Sequence, residues 1–137
     1  VLGADEGDLL RAAVHRFRGV WLDEPAMFLA DPATIAIVTL DGEEVVGWAR
    51  GTRQRHACGY TQVQLYEIGV APTRRGEGLG RALLDHFLRL VTAEGHRRMW
   101  LFTDEANVVA KSLYESAGGR PSPHQDATYW WQLGPTE

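Results

Sequence analysis

The segment Arg74-Arg75-Gly76-Glu77-Gly78-Leu79-Gly80-Arg81 has the residue types that could do chemistry most directly. Apolar residues precede it, and Leu79, Leu83, Phe87 and Val91 follow at four-residue steps. The spacing predicts a strand, a loop and an amphipathic helix over Leu79–Ala93. The first amides of such a helix lack intrahelical acceptors. Together with the positive end of the helix dipole they form an anion site. Glycines let a phosphate approach the backbone, and Arg74, Arg75 and Arg81 add positive charge, so a pyrophosphate suits the cradle. A glycine-rich turn that only starts a helix is the plainer alternative. Two nucleotide patterns fail here. Arg81-Ala82 follows Gly80 where a Walker loop needs Lys-Ser/Thr, and Leu83 stands where the dinucleotide fingerprint needs a third glycine.

Glu67 is the one charged residue of an otherwise apolar strand end that runs into this loop. A carboxylate there can act as a general base, directly or through water, or anchor a substrate ammonium; a solvent-facing strand position is the competing reading. Strict alternation would put Glu67 on the same face as Leu65 and Gly69. Asp104 and Glu105 close the next apolar segment, where they either bind cationic groups or start a turn. Asp126 and the aromatics Tyr129, Trp130 and Trp131 are candidates for a further cleft wall, with core packing or a dimer surface as the alternative for the aromatics. The five histidines and Cys58 have no ligand-like spacing, so no metal is expected. Cys58 reads as a loop residue beside Gly59, with nothing nearby to mark a nucleophile, and His86 reads as a surface or packing residue.

These groups need elements to position them. The 137 residues, 45% hydrophobic and 23% charged, suit a single domain over residues 1–137. Asp8 to Val20 has a helical apolar period with Asp8 as its expected cap, and Pro25 to Ala30 reads as a short second helix. Thr34–Leu40 and Glu44–Arg53, separated by Asp41-Gly42, form the strongest hairpin signal. Gln62–Val70 reads as a third strand, Arg98–Thr103 as a fourth and Ala127–Leu133 as a last one. Asn107 to Ala117 is a further helix, capped by Asn107 and stopped by Gly118-Gly119. That order predicts a mixed α/β sheet of the α+β kind.

A net charge of −4 disfavours general nucleic-acid binding and is compatible with a cationic substrate. Apolar runs are too short for a membrane span, and the first residues have no signal-peptide pattern. With one cysteine, a reducing, cytoplasmic setting is expected. The missing initiator Met suggests that residues precede Val1.

The central loop resembles the acetyl-CoA loop of the GNAT superfamily of N-acetyltransferases, whose pattern Arg/Gln-x-x-Gly-x-Gly/Ala is matched by Arg75, Gly78 and Gly80. Val70-Ala71-Pro72 stands at that family's strand exit. Asn107 and Leu113-Tyr114-Glu115-Ser116-Ala117-Gly118 match its second signature. The likeness spans almost the whole chain, with Val1-Leu2 as the remnant of a first strand. It implies a mixed, mostly antiparallel sheet with splayed central strands flanked by about four helices. It also implies acetyl-CoA as co-substrate, its pantetheine arm on Ile68 and Val70. The pyrophosphate would lie on Arg75, Gly76, Gly78, Leu79, Gly80 and Arg81, with Asn107 also on the cofactor side. An amine would attack the thioester directly, a backbone N–H near Val70 would face the oxyanion, and Tyr114 would protonate the leaving thiolate.

Within the superfamily, Phe28-Leu29-Ala30-Asp31-Pro32, Val45-Val46-Gly47, Leu65-Tyr66-Glu67-Ile68-Gly69-Val70 and Met99-Trp100-Leu101-Phe102-Thr103-Asp104 are similar to type I aminoglycoside 3-N-acetyltransferases. That likeness implies an aminoglycoside acceptor with Glu67 and Asp104 near the reacting amine, while Glu105 and Asp126 stand as further candidate substrate ligands from their own places in the sequence. A peptide, lysine or small-metabolite amine, or a CoA-binding module without turnover, are the other readings. Many members of the superfamily pair, so a homodimer covering the C-terminal aromatics is the expected assembly.

Overall fold

The structure is a computed structural model that describes residues 1–123, 129 and 131–135. Helices α1 (Gly7–Arg18) and α2 (Pro25–Ala30) precede strands β1 (Thr34–Asp41), β2 (Glu44–Arg55) and β3 (Thr61–Val70). A 3-10 turn at Pro72–Arg74 leads to α3 (Leu79–Ala93), then β4 (Arg98–Trp100) and α4 (Val108–Ser116). The four strands lie in chain order. β1, β2 and β3 are antiparallel, and β4 joins β3 in parallel. This is the mixed, mostly antiparallel sheet with four helices that the motifs imply.

Each face of the sheet has its own core. On one, Leu83, Leu84, Phe87 and Val91 of α3 pack on Ile35, Ile37, Ala49, Val63 and Leu65, with Leu113 and Tyr114 of α4 and its C-cap Ala117 at the margin. On the other, Leu10 and Ala13 of α1 pack on Ala36, Val45 and Trp48. The four-residue step in α3 therefore corresponds to a buried stripe. Its close approach depends on a row of small residues in β2. A Cβ on Gly47 would lie 2.9 Å from Leu83 Cδ1, and one on Gly51 would lie 2.7 Å from Phe87 Cζ and 2.5 Å from the Gln64 carbonyl oxygen. Ala49 between them is fully buried. Leu2 donates its N–H to the Ala36 carbonyl at 2.9 Å, which holds the first residues against β1.

Several boundaries differ from the sequence reading. Helix α1 starts after Glu6, whose side chain accepts from the Gly3 N–H at 2.8 Å and makes no cap bond. Asp8 is not the cap but lies in the first turn, where a negative charge suits the dipole. The hairpin pairs Asp41 with Glu44, so Gly42-Glu43 forms its two-residue loop, and Gly42 takes the positive φ of 61° that primed turns need at their first position. The fourth strand is three residues long rather than Arg98–Thr103. β3 leaves it after Gln64, and Leu101 to Thr103 have no strand to pair with among the described residues. The proposed last strand lies partly outside the described residues. Its described members, Tyr129 and Trp131 to Leu133, are in no strand, and Tyr129 and Trp131 are exposed rather than packed in a core. Asn107 does cap α4, its Oδ1 accepting from the Ala110 N–H at 3.0 Å. No helix among the described residues is long and apolar enough to cross a membrane.

Candidate active site

The sheet opens at β3. Gln62, Val63 and Gln64 pair with Arg98, Met99 and Trp100, and from Leu65 onward β3 keeps β2 as its only paired neighbour among the described strands. Ala71 donates its N–H to the Val46 carbonyl at 2.8 Å, so it faces β2. Backbone groups along a strand face alternate edges. Ile68 and Val70 therefore turn their N–H and C=O groups toward the gap that β4 has left. An extended chain can bond there as an added strand does.

At the end of β3 the chain turns through Pro72–Arg74 into the glycine loop. Gly76 (φ 83°) and Gly78 (φ 81°) are left-handed, and Gly78 occupies the N-cap of α3. Nothing lies within 4 Å of where a Cβ would project from either glycine, so the loop mouth is open. The first helical bond of α3 runs from the Ala82 N–H to the Gly78 carbonyl at 3.0 Å. The amides of Leu79, Gly80 and Arg81 thus precede the helical ladder, as an anion site requires. Charge near the loop is arranged unevenly. Arg74 is held by Glu77 and by Asp41 at 2.7 Å, and Arg81 pairs with Asp85 at 2.9 Å and donates to Ser116 Oγ at 3.1 Å. Arg75 is exposed and makes no ion pair among the described residues, which leaves it the cation available to an anion.

Helix α4 closes the same corner. A Cβ on Gly80 would touch Leu113 Cδ2 at 3.6 Å and Val70 Cγ2 at 3.8 Å, so the starts of α3, the end of β3 and the middle of α4 meet. Tyr114 follows Leu113 and packs half-buried on the α3 side of the sheet. Burial pushes its phenol above the usual tyrosine range, which keeps it protonated at neutral pH.

Glu67 lies on the opposite face. Arg50 pairs with Glu67 and Gly51 with Leu65, so Tyr66 is an extra residue that bulges β3. The bulge reverses the side-chain parity. Leu65 belongs to the α3 core, whereas Glu67 and Gly69 face α1, with Phe17 3.3 Å and Trp48 3.5 Å from a Cβ built on Gly69. The shared face expected for Leu65 and Glu67 is corrected accordingly. The Glu67 side chain is 18% exposed, so it is not a solvent-facing position. Its Oε1 accepts from Arg50 Nε at 3.0 Å and from the second guanidinium nitrogen of Arg50, and lies 3.6 Å from Arg18 Nη1. Arg50 also stacks over Tyr66, 4.2 Å from its ring centroid. Arg18 and Arg50 line a cavity of about 220 Å³ whose walls are Leu10, Val14, Val20, Leu22, Phe28 and Trp48. A wider groove of about 520 Å³ runs between α1 and the hairpin, but Arg16 and Glu44 there are paired with each other at 3.1 Å.

The remaining acidic candidates are less central. Asp104 accepts from the Ala106 N–H at 2.8 Å and shapes the turn into α4. Glu105 is exposed and pairs with Lys111 at 2.7 Å. Asp126 lies outside the described residues. Arg18, Arg50 and the Tyr66 bulge were not singled out from sequence, because arginines and an extra strand residue show their roles only through pairing register. Cys58 is a free, exposed thiol, and no group of three or more metal-ligating side chains occurs among the described residues.

Comparison with known proteins bears on this arrangement. The profile of the Acetyltransferase (GNAT) family matches residues 8–119. A mycothiol acetyltransferase of Thermobispora bispora is 37% identical over 98 residues, covering 72% of this chain and 31% of that protein. The Escherichia coli K12 [ribosomal protein bS18]-alanine N-acetyltransferase is 39% identical over 57 residues, 42% of this chain and 38% of its own. The chain thus spans about a third of the length of these curated relatives. Among solved structures, an aminoglycoside acetyltransferase from an uncultured soil metagenomic sample superposes with a TM-score of 0.86 at 15% identity, over 97% of this chain and 93% of that one. That likeness is one of fold. The chain belongs to the Acetyltransferase (GNAT) family.

Proposed function

We propose that this member of the GNAT family transfers the acetyl group of acetyl-CoA to a primary amine. The observation that carries the reading is the opening of the sheet beside Ile68 and Val70, which ends on the glycine loop and on Leu113 of α4, the chain neighbour of Tyr114. A thioester needs an extended groove for its pantetheine arm and an anion cradle for its pyrophosphate, and the free edge of β3 and the amides around Gly78 suit those two needs. Arg75 adds charge there, and Asn107 contributes by starting the helix that holds Tyr114.

Glu67 on the α1 face takes a proton from the acceptor ammonium, directly or through water. The neutral amine forms the C–N bond at the thioester carbon, with the Val70 N–H facing the developing oxyanion. When the C–S bond breaks, the sulfur takes a proton from Tyr114 and the amide nitrogen gives up one to solvent. Tyr114 then regains its proton, and one proton is released overall. Acid and base thus work from opposite faces of β3.

For the acceptor, we place a small amine of the kind used by mycothiol acetyltransferases first, because the sequence likeness lies there. The 3-amino group of an aminoglycoside is the second reading. It is favoured by the stretches around Tyr66 and Trp100 and by structural neighbours that include a sisomicin complex. Thiol release from acetyl-CoA, followed with the mycothiol acetyltransferase substrate, sisomicin and an alanine-initiated peptide, separates these. Turnover with sisomicin alone would reverse the order, and acetyl-CoA binding without turnover on any amine would refute the enzymatic reading.

A further inference from the structure

We infer that Arg50 is a positioning residue that aims the Glu67 carboxylate at the acceptor. This rests on the reading of Glu67 as the base. Two nitrogens of the Arg50 guanidinium engage Oε1 of Glu67, and that oxygen also takes the contact from Arg18. With Oε1 committed to cations, Oε2 is the oxygen left to accept a proton. The guanidinium is itself held. It lies 4.2 Å from the Tyr66 ring centroid and 5.7 Å from that of Trp48, so two rings flank it as the carboxylate holds it.

The bulge makes this unit. Tyr66 is the inserted residue, its insertion turns Glu67 onto the α1 face, and its ring then supplies a surface for Arg50, the cross-strand partner of Glu67. An arginine at this register position does what the other sheet arginines do not. Arg53 faces Glu94 at the C-terminal end of α3, away from the opening of the sheet. Arg50 also lines the 220 Å³ cavity, so one side chain contacts both the base and the volume in which an acceptor would sit.

The test is a double-variant cycle measured with the amine that gives the fastest thiol release. Arg50→Met is expected to lower kcat about 10- to 100-fold while the acetyl-CoA KM stays within twofold, the usual scale for losing a group that orients a reacting one. Glu67→Gln is expected to lower kcat at least as much. Adding Arg50→Met to Glu67→Gln should then cost less than twofold, since both act through one carboxylate. Arg50→Lys keeps the charge without the fork and should recover part of the rate. Thermal unfolding of each variant accompanies the kinetics, and Arg50→Lys serves if Arg50→Met does not fold. Multiplying losses in the double variant, or a lowered melting temperature at unchanged kcat, would overturn the inference. A wild-type rate in Glu67→Gln would instead remove the base reading beneath it.

Discussion

Gly78→Ala and Gly80→Ala should behave oppositely although they are two residues apart. Gly78 has φ 81° at the N-cap of α3, a left-handed conformation that costs an L-residue about 1–2 kcal/mol. No atom lies within 4 Å of its projected Cβ, so the stability cost is conformational alone. Gly80 is helical. Its projected Cβ meets Leu113 Cδ2 at 3.6 Å and Val70 Cγ2 at 3.8 Å, which is ordinary contact, and alanine is favoured over glycine in a helix by up to about 1 kcal/mol. The directions of the two methyls differ as well. On Gly80 the methyl turns inward toward β3 and α4, whereas on Gly78 it enters the open loop mouth. Gly78→Ala should therefore unfold about 1 kcal/mol more easily and raise the acetyl-CoA KM about tenfold, equivalent to roughly 1.4 kcal/mol of binding. Gly80→Ala should be as stable as the parent or more so, with its KM within threefold. Urea unfolding and thiol-release kinetics read both. Equal KM increases in the two variants would refute the assignment of the loop mouth as the pyrophosphate seat.

Tyr114→Phe should lower kcat about 100-fold at an unchanged acetyl-CoA KM. Because burial raises the phenol, loss of rate from its ionisation should begin only above the ordinary tyrosine range, as a pH–rate profile would show. Hydrogen bonding from Arg53, assisted by His96 and opposed by burial, pulls the Glu94 carboxyl down to about 2. A carboxylate held down in the folded state stabilises above its unfolded value and stops doing so as pH falls through its folded one. Discounted for solvent, Glu94→Gln should cost about 1–2 kcal/mol at pH ~7, and the gap should close between the ordinary carboxylate range and pH ~2. Unfolding curves across that range check this, and a gap independent of pH would contradict it. Gly51→Ala should destabilise by about 1–3 kcal/mol in thermal unfolding, because its Cβ would meet the Gln64 carbonyl at 2.5 Å as well as Phe87.

Local chemistry was legible in the sequence wherever one stretch of chain carries its own reason. The helix Leu79–Ala93 announces itself by its apolar step, the hairpin by Asp41-Gly42, and the cap of α4 by Asn107. The glycine loop reads as a cradle for an anion because helix amides and missing side chains are local properties. The family follows from two such local motifs in order. What depends on neighbours distant in sequence was decided by the tertiary structure. Alternation assigned Glu67 to the face of Leu65, and a single bulged residue, visible only against the register of β2, moved it to the other. Asp104 and Glu105 read equally as cation ligands or as turn residues, and only the folded chain sets a turn amide on Asp104 and Lys111 on Glu105. Arg50 had no distinguishing feature as a sequence symbol, and cross-strand pairing set it on Glu67. Strand periodicity records which residues can share a face, but the faces themselves are fixed by register, which is a property of two strands.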